Sequence, residues 1–165
     1  MVVDINIIKM KIFFASDHAG FLMKNTLMKF VRELGFEVAD LGPEKLDPKD
    51  DYPVFMEKIG LEIFKHHKNA KAIILGTSGQ GEAIVVNRFP NVRAVVFYGG
   101  NREIIKLSRE HNDANILSLG AKFINLEEAE EVVKLWLETP FSGDKRHIRR
   151  LEEIDELEES LYINP

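Results

Sequence analysis

The chain of 165 residues contains no cysteine. Disulfides, thiolate metal sites and a thiolate nucleophile are therefore excluded. Positive charge is not in excess either: 22 lysines and arginines face 27 aspartates and glutamates, a formal net charge of −5. That balance argues against a general nucleic-acid binder, although a local basic cluster could still hold a small anion. No apolar run approaches the length needed to span a membrane. The opening "MVVDINIIKMKI" lacks the cationic start and small-residue cleavage site of a signal peptide. Internal repeats and low-complexity linkers are also missing. The expectation is a soluble cytoplasmic protein with neither a membrane nor a nucleic-acid partner.

What is present is enough for one core. At 45% apolar residues the chain can bury a single full interior, so one domain over 10–165 is expected, C-terminal helix included. Residues 1–9 read as an N-terminal extension, with Ile5, Ile7 and Ile8 open to forming a short added strand.

Short β-rich runs recur at "KIFFA" (11–15), "FEVAD" (36–40), "AIILG" (72–76), "AVVFY" (94–98) and "ILSLG" (116–120). Helical spacing fills the gaps: Leu27, Phe30, Val31 and Leu34; Phe55, Ile59 and Ile63; Ile104 and Leu107; Ala129, Val132, Val133 and Trp136. Strands alternating with helices predict an α/β doubly wound three-layer sandwich, because each right-handed crossover lays a helix on the parallel sheet. The common five-stranded order 2-1-3-4-5 is expected, and it makes strands 1 and 3 neighbours. Their following loops, "SDHAG" (16–20) and "GTSGQGE" (76–82), then share a pocket at the switch point. After Pro140 an extra C-terminal helix is expected, basic early and acidic late, which is the reverse of what the helix dipole favours. Its stripe of Ile148, Leu151, Ile154, Leu157 and Leu161 could pack on this domain or on a second subunit.

Four stretches could carry chemistry, and each has a plain structural alternative. In "GTSGQGE" the glycines allow close backbone approach and the next helix offers N–H groups to an anion. The spacing matches neither the P-loop nor the dinucleotide fingerprint. Alternatively, Ser78 caps that helix and Glu82 offsets its dipole. Asp17 and His18 stand at a strand end as acid or acceptor and as switchable donor, or as ordinary turn residues. His111 and Asn112 end a helix, where a histidine is favoured by the dipole alone. Arg146 and Arg150 share a helix face and could converge on one phosphate, while Arg149 could pair with Glu153; the alternative is a solvated charged helix. His66 and His67 receive no role.

Together "SDHAG", "DYP" (51–53), "GTSGQGE", "SREHNDANILSLGAK" (108–122) and "RHIRR" (146–150) make the chain resemble the type B ribose-5-phosphate isomerases, with the galactose-6-phosphate and allose-6-phosphate isomerases, over about 10–157. The resemblance implies an aldose–ketose isomerase needing no metal or cofactor, whose partner is a small phosphorylated sugar. It implies a homodimer or dimer of dimers with shared active sites. One branch of the family has a catalytic cysteine at the position of Gly76; another has a glutamate at that of Glu82, and this cysteine-free chain resembles the second.

Carried over by position, the resemblance makes Glu82 the base and Ser78 the hydroxyl that handles substrate oxygens. Gly79, Gln80, Gly81 and Glu82 supply the anion hole. Asp17 and His111 are the pair for ring opening, in an order left open. Asp17, His18 and Tyr52 fall at substrate-contacting positions, and His111 with Asn112 come from a neighbouring subunit. Arg146 and Arg150 hold the phosphate. Lys122 stands where relatives often have arginine, keeping the charge but losing the bidentate fork. Two rivals remain, a six-carbon sugar-phosphate isomerase and a non-catalytic phosphosugar-binding module. Ring size would be set near Tyr52, Tyr98 and residues 99–101. A receiver-like domain is set aside because Gly76 and Thr77 stand where it needs an acceptor aspartate.

Overall fold

The computed structural model describes residues 10–163. The N-terminal extension 1–9 and the short strand considered there lie outside them. Five parallel strands form one sheet: β1 (Lys11–Ser16), β2 (Glu37–Asp40), β3 (Ala70–Gly76), β4 (Ala94–Phe97) and β5 (Ile116–Gly120). Helices α1 (Phe21–Glu33), α2 (Tyr52–His66), α3 (Gln80–Val86), α4 (Glu103–Glu110) and α5 (Leu126–Glu138) alternate with them, and α6 (Lys145–Ile163) follows. Each strand falls within two residues of the apolar run that predicts it.

The sheet order corrects the expectation. It is β2-β1-β3-β5-β4, with the last two strands exchanged. β5 is buried along its whole length, whereas β4 keeps three half-exposed residues and forms the edge. Ser118 and Gly120 explain why β5 takes the inner place. The Ser118 hydroxyl donates to the Gly79 carbonyl at 2.6 Å, and a Cβ on Gly120 would lie 2.9 Å from the Ser78 carbonyl oxygen. A larger side chain at either position would push β5 away from the loop that follows β3.

The exchange also redistributes the helices. A right-handed crossover from β4 back inward to β5 places α4 on the face opposite α3. One apolar core therefore joins α1, α4 and α5 through Leu27, Val31, Ile105, Val132 and Trp136. The other joins α2 and α3 through Met56, Ile59, Ile63 and Val86. Side chains such as Leu27 and Ile59 are wholly buried, each contributing about 2 kcal/mol in transfer free energy.

Two features outside these cores position the functional loops. Lys24, fully buried within α1, donates to both carboxylate oxygens of Asp40 at 2.7 and 2.8 Å and to the Pro43 carbonyl at 2.9 Å. That clamp fixes the start of the loop leading from β2 to α2. α6, by contrast, packs little on the body, and Ile148, Ile154, Leu157 and Leu161 on its apolar stripe are exposed. Its Arg149 faces Glu153 at 3.5 Å, as the four-residue spacing predicts.

Candidate active site

The loops after β1 and β3 meet because those strands pair directly, Ser16 opposite Leu75. Asp17 is buried just past β1, and its Oδ1 accepts the N–H groups of Ala19 at 2.9 Å and Gly20 at 3.2 Å. The carboxylate thus closes the turn into α1 while standing beside the β3 loop. Tyr52, the first residue of α2, lays its ring over the same loop. A Cβ on Gly81 would lie 2.7 Å from the Tyr52 Cζ, so a side chain there would displace the end of the ring. Lys122 is exposed, and its N–H donates to the Thr77 carbonyl at 3.1 Å, bringing the loop after β5 to the same rim.

Gly79 has φ of 77° and is the residue at which β3's loop turns into α3. Ser78 does not cap this helix. Its hydroxyl receives only a long contact from the Gln80 N–H, 3.4 Å, which leaves it available to another partner. The first-turn N–H groups of α3 have no carbonyl of their own helix to bond.

Glu82 is 4% exposed despite its position in that first turn. Its carboxylate folds back against Gly76 and occupies the space where a side chain at 76 would begin. Burial raises its pKa above the ordinary value; its own main-chain N–H opposes the rise, and the Asp17 charge adds to it. The dipole-driven lowering that a simple cap would imply is outweighed by desolvation. A carboxylate with this environment is a better proton acceptor than a solvated one.

The remaining expected residues lie at the other end of the sheet. α4 runs antiparallel to the strands, so its C-cap His111 and the following Asn112 sit at the strands' N-terminal edge. Arg93, just before β4, fixes them there by donating to the carbonyls of Asn112 at 3.0 Å and Asp113 at 3.1 Å. Arg146 and Arg150 begin α6 on the same side, since the neighbouring His147 bonds the His111 carbonyl. β5 separates the two groups, and its five residues at about 3.3 Å each span roughly 16 Å. Within one chain, Asp17, His18, Tyr52, Ser78, Gly79, Gln80, Gly81, Glu82 and Lys122 gather at one end of the strands, and His111, Asn112, Arg146 and Arg150 at the other.

Sequence reasoning missed two partners. Asp50 Oδ1 accepts from the His18 N–H at 3.1 Å and lies 2.7 Å from His18 Nδ1. That hydrogen bond raises the His18 pKa, desolvation opposes it, and the charges of Asp17, Asp50 and Asp47 add to the rise. The acidic run "DPKDDYP" carried the signal without saying which aspartate turns inward. His147, seen within "RHIRR", is 3% exposed between two exposed neighbours, and its ring lies 4.2 Å from that of His111. No cluster of side chains suited to a metal ion occurs among the described residues, and none of their helices is long and apolar enough to cross a membrane.

Known proteins are similar to this chain in sequence and fold. The family model described as Ribose/Galactose Isomerase matches residues 12–154. Ribose-5-phosphate isomerase B of Escherichia coli is 35% identical over 149 residues, covering 90% of this chain and 97% of that protein. Ribose-5-phosphate isomerase B of Mycolicibacterium paratuberculosis is 32% identical over 156 residues, covering 94% and 96%. The crystal structure of ribose-5-phosphate isomerase B from Mycoplasma genitalium with bound ribulose-5-phosphate superposes with a TM-score of 0.86 at 31% identity, covering 91% and 97%. With the match spanning both cores and both groups of residues, the chain belongs to the Ribose/Galactose Isomerase family.

Proposed function

We propose that the protein interconverts ribose 5-phosphate and ribulose 5-phosphate through a cis-enediolate, with Glu82 moving the proton between C2 and C1. One observation carries the reading: a desolvated carboxylate lodged against Gly76, beside glycine-opened backbone N–H groups. Isomerisation needs a base whose pKa is drawn up towards the working pH and donors aimed at the developing oxyanion. Glu82 meets the first need, and Ser78 with the N–H groups of residues 79–82 meets the second. Both come from one turn, so their spacing does not depend on domain motion. The reading invokes no metal or organic cofactor.

Ring opening requires an acid and a base at the ring oxygen and anomeric hydroxyl, for which Asp17 and His111 are the pair. His18, Tyr52 and Asn112 contact the sugar, and Lys122 adds a charge at the rim. Arg146 and Arg150 hold the phosphate and so set C1 and C2 against the base.

Because the two groups of residues are half-sites at opposite edges of the sheet, His111, Asn112, Arg146 and Arg150 of one subunit complete the site of another. A homodimer or a dimer of dimers follows. The exposed apolar stripe of α6 and the apolar groove of Val95, Val96, Ile104 and Leu107 beside the β4 edge support such an interface, and Asn112 lies at that groove. The residues packed on the two faces of one sheet make a single domain with α6 as its projecting arm. A cytoplasmic location goes with a charged phosphosugar substrate.

A turnover assay on ribose 5-phosphate, allose 6-phosphate and galactose 6-phosphate tests the reading, with the five-carbon sugar expected to be preferred. Preference for a six-carbon substrate would reassign the specificity. Binding without conversion of any of them would make the protein a phosphosugar-binding module.

A further inference from the structure

His147 is the buried residue at the start of an otherwise exposed helix, and both its ring nitrogens are engaged. Arg146 Nε lies 2.9 Å from Nε2 and can only donate, so Nε2 is the acceptor. The ring proton then resides on Nδ1, which donates to the His111 carbonyl at 3.1 Å. The two imidazole rings also stack, their planes 38° apart. A single side chain therefore holds the backbone and ring of His111 on one side and the guanidinium of Arg146 on the other.

We propose that His147 is a positioning residue that sets His111 and Arg146 at a fixed separation, so that the ring-opening imidazole and the phosphate ligand act on one substrate as a unit. This rests on the isomerase reading for the roles of His111 and Arg146. The chemistry asks for such a device. A pentose phosphate presents its anomeric end and its phosphate a fixed length apart, while His111 belongs to the α4 cap and Arg146 to α6. α6 otherwise packs little on the body; the Ser142 N–H donates to the Glu110 carbonyl at 3.1 Å just before it, and within the helix His147 is the side chain that ties the two elements where the site needs them. A displacement on the order of 1 Å at either group is enough to cost about 100-fold in rate.

The two nitrogens can be tested separately. In His147→Asn the amide reaches the position of Nδ1, keeping the donor to His111 and removing the acceptor for Arg146. In His147→Gln the amide reaches the position of Nε2, keeping the partner of Arg146 and removing the donor to His111. The expected result is a split. His147→Asn raises KM on the order of tenfold, the equivalent of one lost charge-assisted hydrogen bond, with kcat nearly kept. His147→Gln lowers kcat by a similar factor with KM nearly kept, and His147→Ala shows both effects. If Asn and Gln shift kcat and KM in the same proportion as Ala, or leave both unchanged, the proposal is wrong. Calorimetric binding of inorganic phosphate to the full chain reads the Arg146 side without turnover: weaker in His147→Asn, unchanged in His147→Gln. Equal affinity in both variants overturns the proposal even if wild type proves inactive on every sugar phosphate, an outcome that would separately remove the isomerase reading.

Discussion

Asp50 grips His18 twice, taking its main-chain N–H and its ring nitrogen on the same carboxylate oxygen, while the other oxygen is buried without a partner. The ring is thereby oriented and its protonated form favoured. A histidine whose folded pKa is raised adds stability that is fully present below its ordinary value of 6.5 and lost as pH rises through the raised one. Asp50→Asn weakens the hydrogen bond that is the largest cause of the rise, a neutral amide oxygen replacing a carboxylate, and removes the Asp50 charge that adds to it. We expect the His18 ring to titrate at lower pH in that variant, read from its Hε1 resonance, and KM for the sugar phosphate to increase. An unshifted titration would show that the contact does not govern the ring.

Glu82→Gln separates catalysis from folding. Removing the proposed base is expected to lower kcat by roughly 1,000-fold or more. Because the folded pKa is raised by burial, the folded chain binds more protons here than the unfolded one, and stability falls as pH rises from 4.5 through the raised value. Glu82→Gln is exempt from that loss. It should melt at or above the wild-type temperature at pH 7, the advantage vanishing below pH 4.5. Thermal melts at the two pH values check the sign, and retained turnover would remove Glu82 as the base.

Gly76→Ala tests the placement of the same carboxylate without changing it. The new methyl overlaps the Glu82 side chain, whose flexible end must swing away from β3. The fold should survive, and kcat should fall about 100-fold through misplacement alone. Near wild-type turnover would mean that the productive position of Glu82 is elsewhere.

The proposed composite site predicts that inactive variants complement one another. Glu82→Gln and His111→Ala damage opposite half-sites, so a mixed dimer has one site bearing both lesions and one bearing neither. Unfolding and refolding an equal mixture should restore roughly a quarter of wild-type activity, half the dimers being mixed and half their sites intact. A mixture no more active than its parents would place all the catalytic groups within one subunit.

Much of this was legible in the chain. Strands such as "ILSLG" announce themselves by apolar, β-branched composition between polar segments, and the pairing of β1 with β3 brought "SDHAG" and "GTSGQGE" to one pocket. The exchange of β4 and β5 was not legible, since both are short apolar runs. What decides between them is how closely Ser118 and Gly120 approach a loop some forty residues earlier in the chain. The same limit hid Asp50, 32 residues from His18, and His147, 36 residues from His111. Lys24 escaped for a different reason: a lysine on a helix reads as solvated until its counter-ion, Asp40, is seen beneath it.

The overlap of Glu82 with any side chain at 76 also bears on descent. A side chain at 76 and the Glu82 carboxylate compete for a single volume. A change that enlarges residue 76 displaces the carboxylate, and one that shortens residue 82 leaves the volume empty. The two positions, six residues apart, are therefore coupled, and the pair of Gly76 and Glu82 is kept or changed together.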